Sequence, residues 1–136
     1  MSAELAAQRY LRRHIEPNLP PSPQPLTSWR HVLVIPACRE HAALVQRLRD
    51  LPAGPGQALV ILVLNRPDSD TDRDANGELR AAVLALPAGS CHDVRGLNSR
   101  ADLYLLDLDT VVGPLPATQG VGLARNVGRK EAFEML

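Results

Sequence analysis

Aromatic residues are scarce in this 136-residue chain: one Trp, one Phe and two Tyr. Its core must therefore come from Leu, Val, Ile and Ala. No excess of either charge is present, since 15 basic side chains balance 15 acidic ones. Without a basic surplus to neutralise phosphates, a nucleic-acid partner is disfavoured. There is no acidic tail or polybasic block. Long apolar runs are missing too. The longest, Ala58 to Leu64, has seven residues, whereas a membrane span needs about 20. The N-terminus carries Glu4, Arg9, Arg12 and Arg13 where an export signal needs an apolar stretch, so the expected location is cytoplasmic. The two cysteines, Cys38 and Cys91, are far apart and form no C-x-x-C. They read as two reduced thiols rather than a disulfide or a metal pair.

Proline, by contrast, is plentiful, and it divides the chain. Residues 2–15 read as a short helix with Ala3, Ala7, Tyr10, Leu11 and His14 near one face,. Pro17, Pro20, Pro21, Pro23 and Pro25 follow. Each lacks an N–H and has a fixed φ, so the segment reads as an extended linker. A domain boundary is placed near residue 28. This gives an N-terminal helix and proline-rich linker over 1–27, and one α/β unit over 28–136.

From Trp29 onward, strand and helix patterns alternate. His31–Ile35 is a β-branched apolar run ended by Pro36, and Ala58–Leu64 is a second such run. Leu103–Leu108 makes a third strand. Helices are expected over Glu40–Leu51, Gly77–Leu86 and Leu123–Leu136, with loops between. Alternation of this kind means an open, mostly parallel sheet with flanking helices and right-handed crossovers, a Rossmann-like α/β fold. Ligands of such sheets bind beyond the carboxyl ends of the strands.

Several motifs lie at those ends. Asp72-x-Asp74-x-Asn76-Gly77 matches the opening of an EF-hand calcium loop, but Val83 stands where the closing bidentate Glu belongs,. It reads as a solvated acidic loop, whose Asp68, Asp70, Asp72 and Asp74 would repel one another unless solvated or counter-charged by Arg66 and Arg73. Asp107-Leu-Asp109 could place two carboxylates on one face of a strand for Mg²⁺, or could cap loop N–H groups. Gly120-x-Gly122-x-x-Arg125 lacks the third glycine of the dinucleotide fingerprint, which argues against a nicotinamide site. Cys38 near His41 could suggest a thiol nucleophile, but an inert cysteine is the reading preferred. The histidines show no metal or triad spacing.

Taken together, three segments resemble the N-terminal half of the family 2 glycosyltransferases, which have the GT-A nucleotide-sugar fold. His31-Val-Leu-Val-Ile-Pro-Ala-Cys-Arg-Glu40 is similar to the family's opening V-V-I-P-A-Y-N-E. Leu64-Asn-Arg-Pro-Asp-Ser-Asp70 stands where the family has its base- and ribose-binding carboxylate. Gly120-Val-Gly-Leu-Ala-Arg-Asn-Val-Gly128 looks like its G-x-x-x-A-R-N-x-G helix. The resemblance covers about residues 30–133. It implies a nucleotide-diphosphate sugar as donor and a sugar or polyprenyl-linked acceptor. By resemblance, Pro36, Ala37 and Glu40 line the nucleotide pocket, Asp68 contacts base or ribose, and Arg125 and Asn126 lie close to the donor. The family's metal-binding Asp-x-Asp and catalytic base follow that last helix. The divalent metal, Mg or Mn, is therefore expected only of a complete enzyme, and the chain reads as a donor-binding half-domain truncated at its C-terminal end, with catalytic residues unknown. The alternative is a stand-alone, non-enzymatic module that binds a nucleotide or a protein. A third reading is a hydrolase or phosphotransferase that uses Asp107 and Asp109. A missing neighbour strand would leave an exposed sheet edge and drive self-association.

Overall fold

The computed structural model describes residues 3–20, 29–51, 57–91, 93–116 and 120–135. Ser2, most of the proline linker with the boundary near 28, the loop at 52–56, His92 and Leu136 lie outside the described residues. The sheet has four strands in the order β1-β2-β4-β3. They are β1 (His31–Ala37), β2 (Ala58–Leu64), β3 (Val94–Asn98) and β4 (Ala101–Asp107). β1, β2 and β4 run parallel in register, so His31, Ala58 and Ala101 align at one end and Ala37, Leu64 and Asp107 at the other. The expected parallel α/β sheet is present, with one antiparallel strand added at its edge.

β2 sits between two parallel neighbours and is buried at every position but its first. Its alternating side chains supply two cores. Leu59, Ile61 and Val63 face one layer, joined by Tyr104, Leu106, Leu123, Ala124 and Val127. Val60, Leu62 and Leu64 face the other, with Val45, Leu48, Leu79 and Val83. A continuous apolar run is what burial on both faces requires. Helices α2 (Ala43–Arg49) and α3 (Gly77–Leu84) cover the second face, and α5 (Gly120–Met135) covers the first.

The N-terminal segment differs from the helix expected there. α1 (Ala3–Tyr10) continues into a π-wound turn over Leu11–Ile15 and a 3-10 turn over Glu16–Asn18. The wider turn brings Ile15 fully into the first core and leaves His14 exposed, although the helical spacing puts His14 on the face of Tyr10 and Leu11. Pro17 lies inside the 3-10 turn, near its start. A missing N–H costs nothing in a first helical turn, so Pro17 does not break the helix here.

Other differences are local. α2 starts three residues later than Glu40, where the Ala43 N–H donates to His41 Nδ1 at 3.0 Å in place of a side-chain cap at Ala42. Pro36 does not end β1 but lies within it. The Ala37 carbonyl accepts from the Asn65 N–H on the β2 side, so by alternation the N–H that Pro36 lacks would point to the open edge. Proline is tolerated there. β3 stands where a loop is expected, and Asn98 and Ala101 close its hairpin with β4. A Cβ at Gly96 would come 3.1 Å from the Ala88 carbonyl oxygen, so a glycine lets the chain bridge there. β4 ends at Asp107, and Leu108 opens a one-turn helix α4 (Leu108–Val111) instead of extending the strand. A buried carboxylate ties these parts together. Asp102 accepts from Trp29 Nε1 at 2.9 Å, from the Ser90 N–H at 3.2 Å and from Ser90 Oγ.

Candidate functional site

The carboxyl ends of β1, β2 and β4 meet in a polar rim, as the fold class predicts. Two asparagines hold it together. The Asn65 Nδ2 group, just past β2, donates to the Ala37 carbonyl at 3.1 Å. Asn76, at the start of α3, is fully buried. Its Nδ2 donates to the Asn65 carbonyl at 3.0 Å and to Asp109 at 3.2 Å. Its Oδ1 accepts from the Arg39 N–H at 3.0 Å. Three strand-end loops are thus stitched at one point. Asn76 is the residue the calcium-loop pattern would have assigned to a cation, and here protein donors and acceptors occupy it.

Three arginines surround this stitch. Arg66 Nε donates to Asp109 Oδ1 at 3.0 Å, with side chains only 9% and 5% exposed. Arg66 Nη1 also donates to the Asp70 carbonyl. Arg80, one turn into α3, grips Asp107 with Nε and Nη2, and its Nη2 lies 3.6 Å from Asp109. Arg39 holds Asp70 in the same two-pronged way and lies 3.5 Å from Asp72. Its backbone is in the left-handed region at φ 55, uncommon for a side-chain-bearing residue,. The Arg39 guanidinium, and then the Asp72 N–H, hold the Asp70 carboxyl down at about 2. Asp70 and Asp72 are therefore countered chiefly by Arg39, with Arg66, itself paired with Asp109, adding a smaller pull on Asp70.

Asp107 performs the capping role. Its Oδ1 accepts from the Thr110 N–H at 3.1 Å and its Oδ2 from Thr110 Oγ1 at 2.8 Å. With Arg80 on the same oxygens, and Arg66 and Asn76 on those of Asp109, the pair does not fit a divalent cation. Among the described residues, no group of three or more His, Cys, Asp or Glu is placed to hold a metal. Cys38 does not resemble a nucleophile. Burial, and then the charge of Asp70, push its thiol up, whereas a reactive cysteine needs the opposite. Both cysteines are free thiols.

A cavity of about 500 Å³ opens beside the rim, lined by Arg66, Asp68, Asp70, Arg73, Arg80 and Asp109 among others. This is within the usual range for a small-ligand site, about 300–1,000 Å³. Asp68 is the one expected donor residue among its lining side chains. The other five lie elsewhere. Pro36 is half-buried and Ala37 buried at the end of β1, while Glu40 is exposed just beyond. Arg125 is exposed and Asn126 half-buried on α5, the helix packed on β1. Arg39, Asn65, Asn76 and Arg80 were not among the expected site residues. Their signal was positional, since each follows a strand end or opens the next helix.

Comparison with protein-family models, with curated proteins and with solved structures finds no match to this chain. Among the described residues, no helix is long and apolar enough to cross a membrane.

Proposed function

We propose that this chain is the donor-binding part of a family 2-like glycosyltransferase, taking a nucleotide-diphosphate sugar in the cytoplasm. The carrying observation is the joint between two of the segments that resemble the family. Gly128, which closes Gly120-Val-Gly-Leu-Ala-Arg-Asn-Val-Gly128, faces β1, and a Cβ built on it would come 2.2 Å from Val34 Cγ1 and 3.1 Å from Val63 Cγ2. The glycine lets α5 lie directly on the strand that ends in Pro36 and Ala37. The pattern of small and apolar residues in that helix thus has a packing reason that involves the other segment.

The strand-end rim supports the same reading. Loops beyond parallel strands place backbone N–H groups and charged side chains where a nucleotide can lie. Pro36, Ala37 and Glu40 then line the nucleotide pocket from β1, Asp68 is the candidate contact to base or ribose, and Arg125 and Asn126 lie on the α5 side. An arginine there suits a diphosphate. Asp107 and Asp109 are already paired with Arg80 and Arg66 and are not the family's metal-binding Asp-x-Asp; residues 1–136 are proposed to bind donor without transferring sugar.

Titration calorimetry with uridine and guanosine diphosphates tests the proposal. Weak, saturable binding that Arg125→Ala reduces is the expected result. No binding by either nucleotide at millimolar concentration would overturn it, and robust sugar transfer by residues 1–136 alone would sink the claim of inactivity. A second reading, a non-enzymatic module with a protein partner, draws support from the flank of β1, where Leu33 is 47% exposed. The same flank carries the proposed self-association through the β1 edge. Light scattering that shows only monomer at high concentration would reject it.

A further inference from the structure

Three rim arginines, Arg39, Arg66 and Arg80, are paired with aspartates, but a second group keeps its charge open. Arg9 lies at the end of α1, and Arg12 and Arg13 lie on the π-wound turn. The hollow that the three line together puts them on one side of the segment. All three are exposed, and they line a hollow of about 320 Å³. Among the described residues, no carboxylate pairs with any of them. Glu16, the next acid along the chain, is held by Lys130 at 2.9 Å. In the rim, by contrast, Arg39, Arg66 and Arg80 each grip an aspartate.

The group is also held in place. Tyr10 and Leu11 pack against the first core and Ile15 is fully buried in it, so the turn that carries Arg12 and Arg13 is fixed to the domain. π turns are rare and recur at functional sites. Here the wide turn buries Ile15 and leaves Arg12, Arg13 and His14 facing outward. Leu5, one turn before Arg9 on the same side, is 56% exposed.

We propose that Arg9, Arg12 and Arg13 form a binding surface for phosphoryl groups, separate from the strand-end cavity. A guanidinium stays charged at every working pH, and its fork of N–H groups matches two phosphate oxygens. Three such forks around one hollow suit a multiply charged phosphoryl ligand. A bound anion would relieve the mutual repulsion of the three cations. The chemistry is the same whether the phosphoryl group belongs to a soluble diphosphate or to a phospholipid headgroup beneath Leu5.

The test uses the full chain and two probes. Inorganic pyrophosphate is titrated by calorimetry. Vesicles of phosphatidylcholine, with and without phosphatidylglycerol, are used for co-sedimentation at low salt. The comparison protein is the triple variant Arg9→Gln, Arg12→Gln and Arg13→Gln, with circular dichroism to show that it folds. Binding to at least one probe is expected, weakened by about tenfold or more in the triple variant and by added salt. Pyrophosphate binding names a soluble source, and binding confined to phosphatidylglycerol vesicles names a headgroup; both uphold the proposal. No binding to either probe, or undiminished binding by the triple variant, overturns it. None of these outcomes depends on the nucleotide titration above.

Discussion

β1 and β2 are both seven-residue parallel strands, paired residue for residue, and they meet very different fates. β2 is buried almost throughout, while β1 is fully buried only at Ala37. The difference is not hydrophobicity, since Val32-Leu33-Val34-Ile35 is as apolar as its partner Leu59-Val60-Ile61-Leu62. It is position. β2 has a strand on each side and a helix layer on each face, whereas β1 has no strand beyond it among the described residues; Val32 and Val34 are only partly buried on its α5 face, and on the other face Ala37 is buried, Ile35 partly so, and Leu33 exposed. The buried rim beyond β2 and β4 follows the same logic. Where neighbours surround a polar group, each one finds a partner; beyond β1, Glu40 is left exposed. Apolar pattern thus tells which residues can be buried, and topology decides which are.

The largest expected effect lies on the closed side. Asp109→Ala would leave Arg66 buried without its carboxylate. Removing one partner of a buried pair costs about 3–5 kcal/mol, to be read by denaturant unfolding. A loss under about 1 kcal/mol would mean that the pair is open to water and the rim is not the rigid side of the molecule. Leu62→Ala against Leu33→Ala measures the strand difference itself. Truncating a fully buried leucine costs about 2–5 kcal/mol, while a half-exposed one should cost well under half as much. Equal losses would mean that Leu33 is covered in solution, which self-association would explain and a dilution series would reveal.

Gly128→Ala probes the face of β1 that packs on α5. The added methyl group would press on Val34 and Val63, and overpacking of this kind costs about 1–3 kcal/mol. Paired with Val34→Ala, which makes room, part of the loss should return. If the double variant is no better than the sum of the singles, α5 does not rest on β1 through this contact.

How much of this was legible follows from which forces act locally. β2 was read to its exact ends because a buried parallel strand needs an unbroken apolar run, and Ala58–Leu64 is one. β3 was not, because Val94-Arg-Gly-Leu-Asn98 has neither an apolar run nor clean alternation. Its strand state comes from pairing with β4, which only the folded chain supplies. The capping alternative for Asp107 was legible, since a carboxylate at a strand end has loop N–H groups within reach. The partners of Asp109 were not. Arg66 and Asn76 come from 43 and 33 residues away, and nothing in their local sequence names an acid. That Ile15 rather than His14 joins Tyr10 and Leu11 at the core was hidden for a different reason: a helical wheel assumes α geometry, and the π turn departs from it.

The smallest stability effect, and the most specific signature, belongs to Arg39. Its guanidinium is exposed, so losing the bond to Asp70 should change stability little. The titration of Asp70 should change visibly. In the folded chain its carboxyl sits at about 2, below its ordinary 3.8. A lowered carboxylate pKa means that the folded state releases the proton more readily than the unfolded chain. The resulting stabilisation is therefore complete above about pH 4 and fades as pH falls toward 2. Arg39→Ala should move the Asp70 midpoint back up toward 3.8, followed by carboxyl-carbon NMR, and flatten that acid-side loss. The Asp72 N–H, 3.0 Å from Asp70 Oδ1, remains in the variant, so the return should be partial. A midpoint that does not move would place the cause in the loop's own backbone, and β1 would then contribute nothing to the rim except the Ala37 carbonyl and the Arg39 N–H.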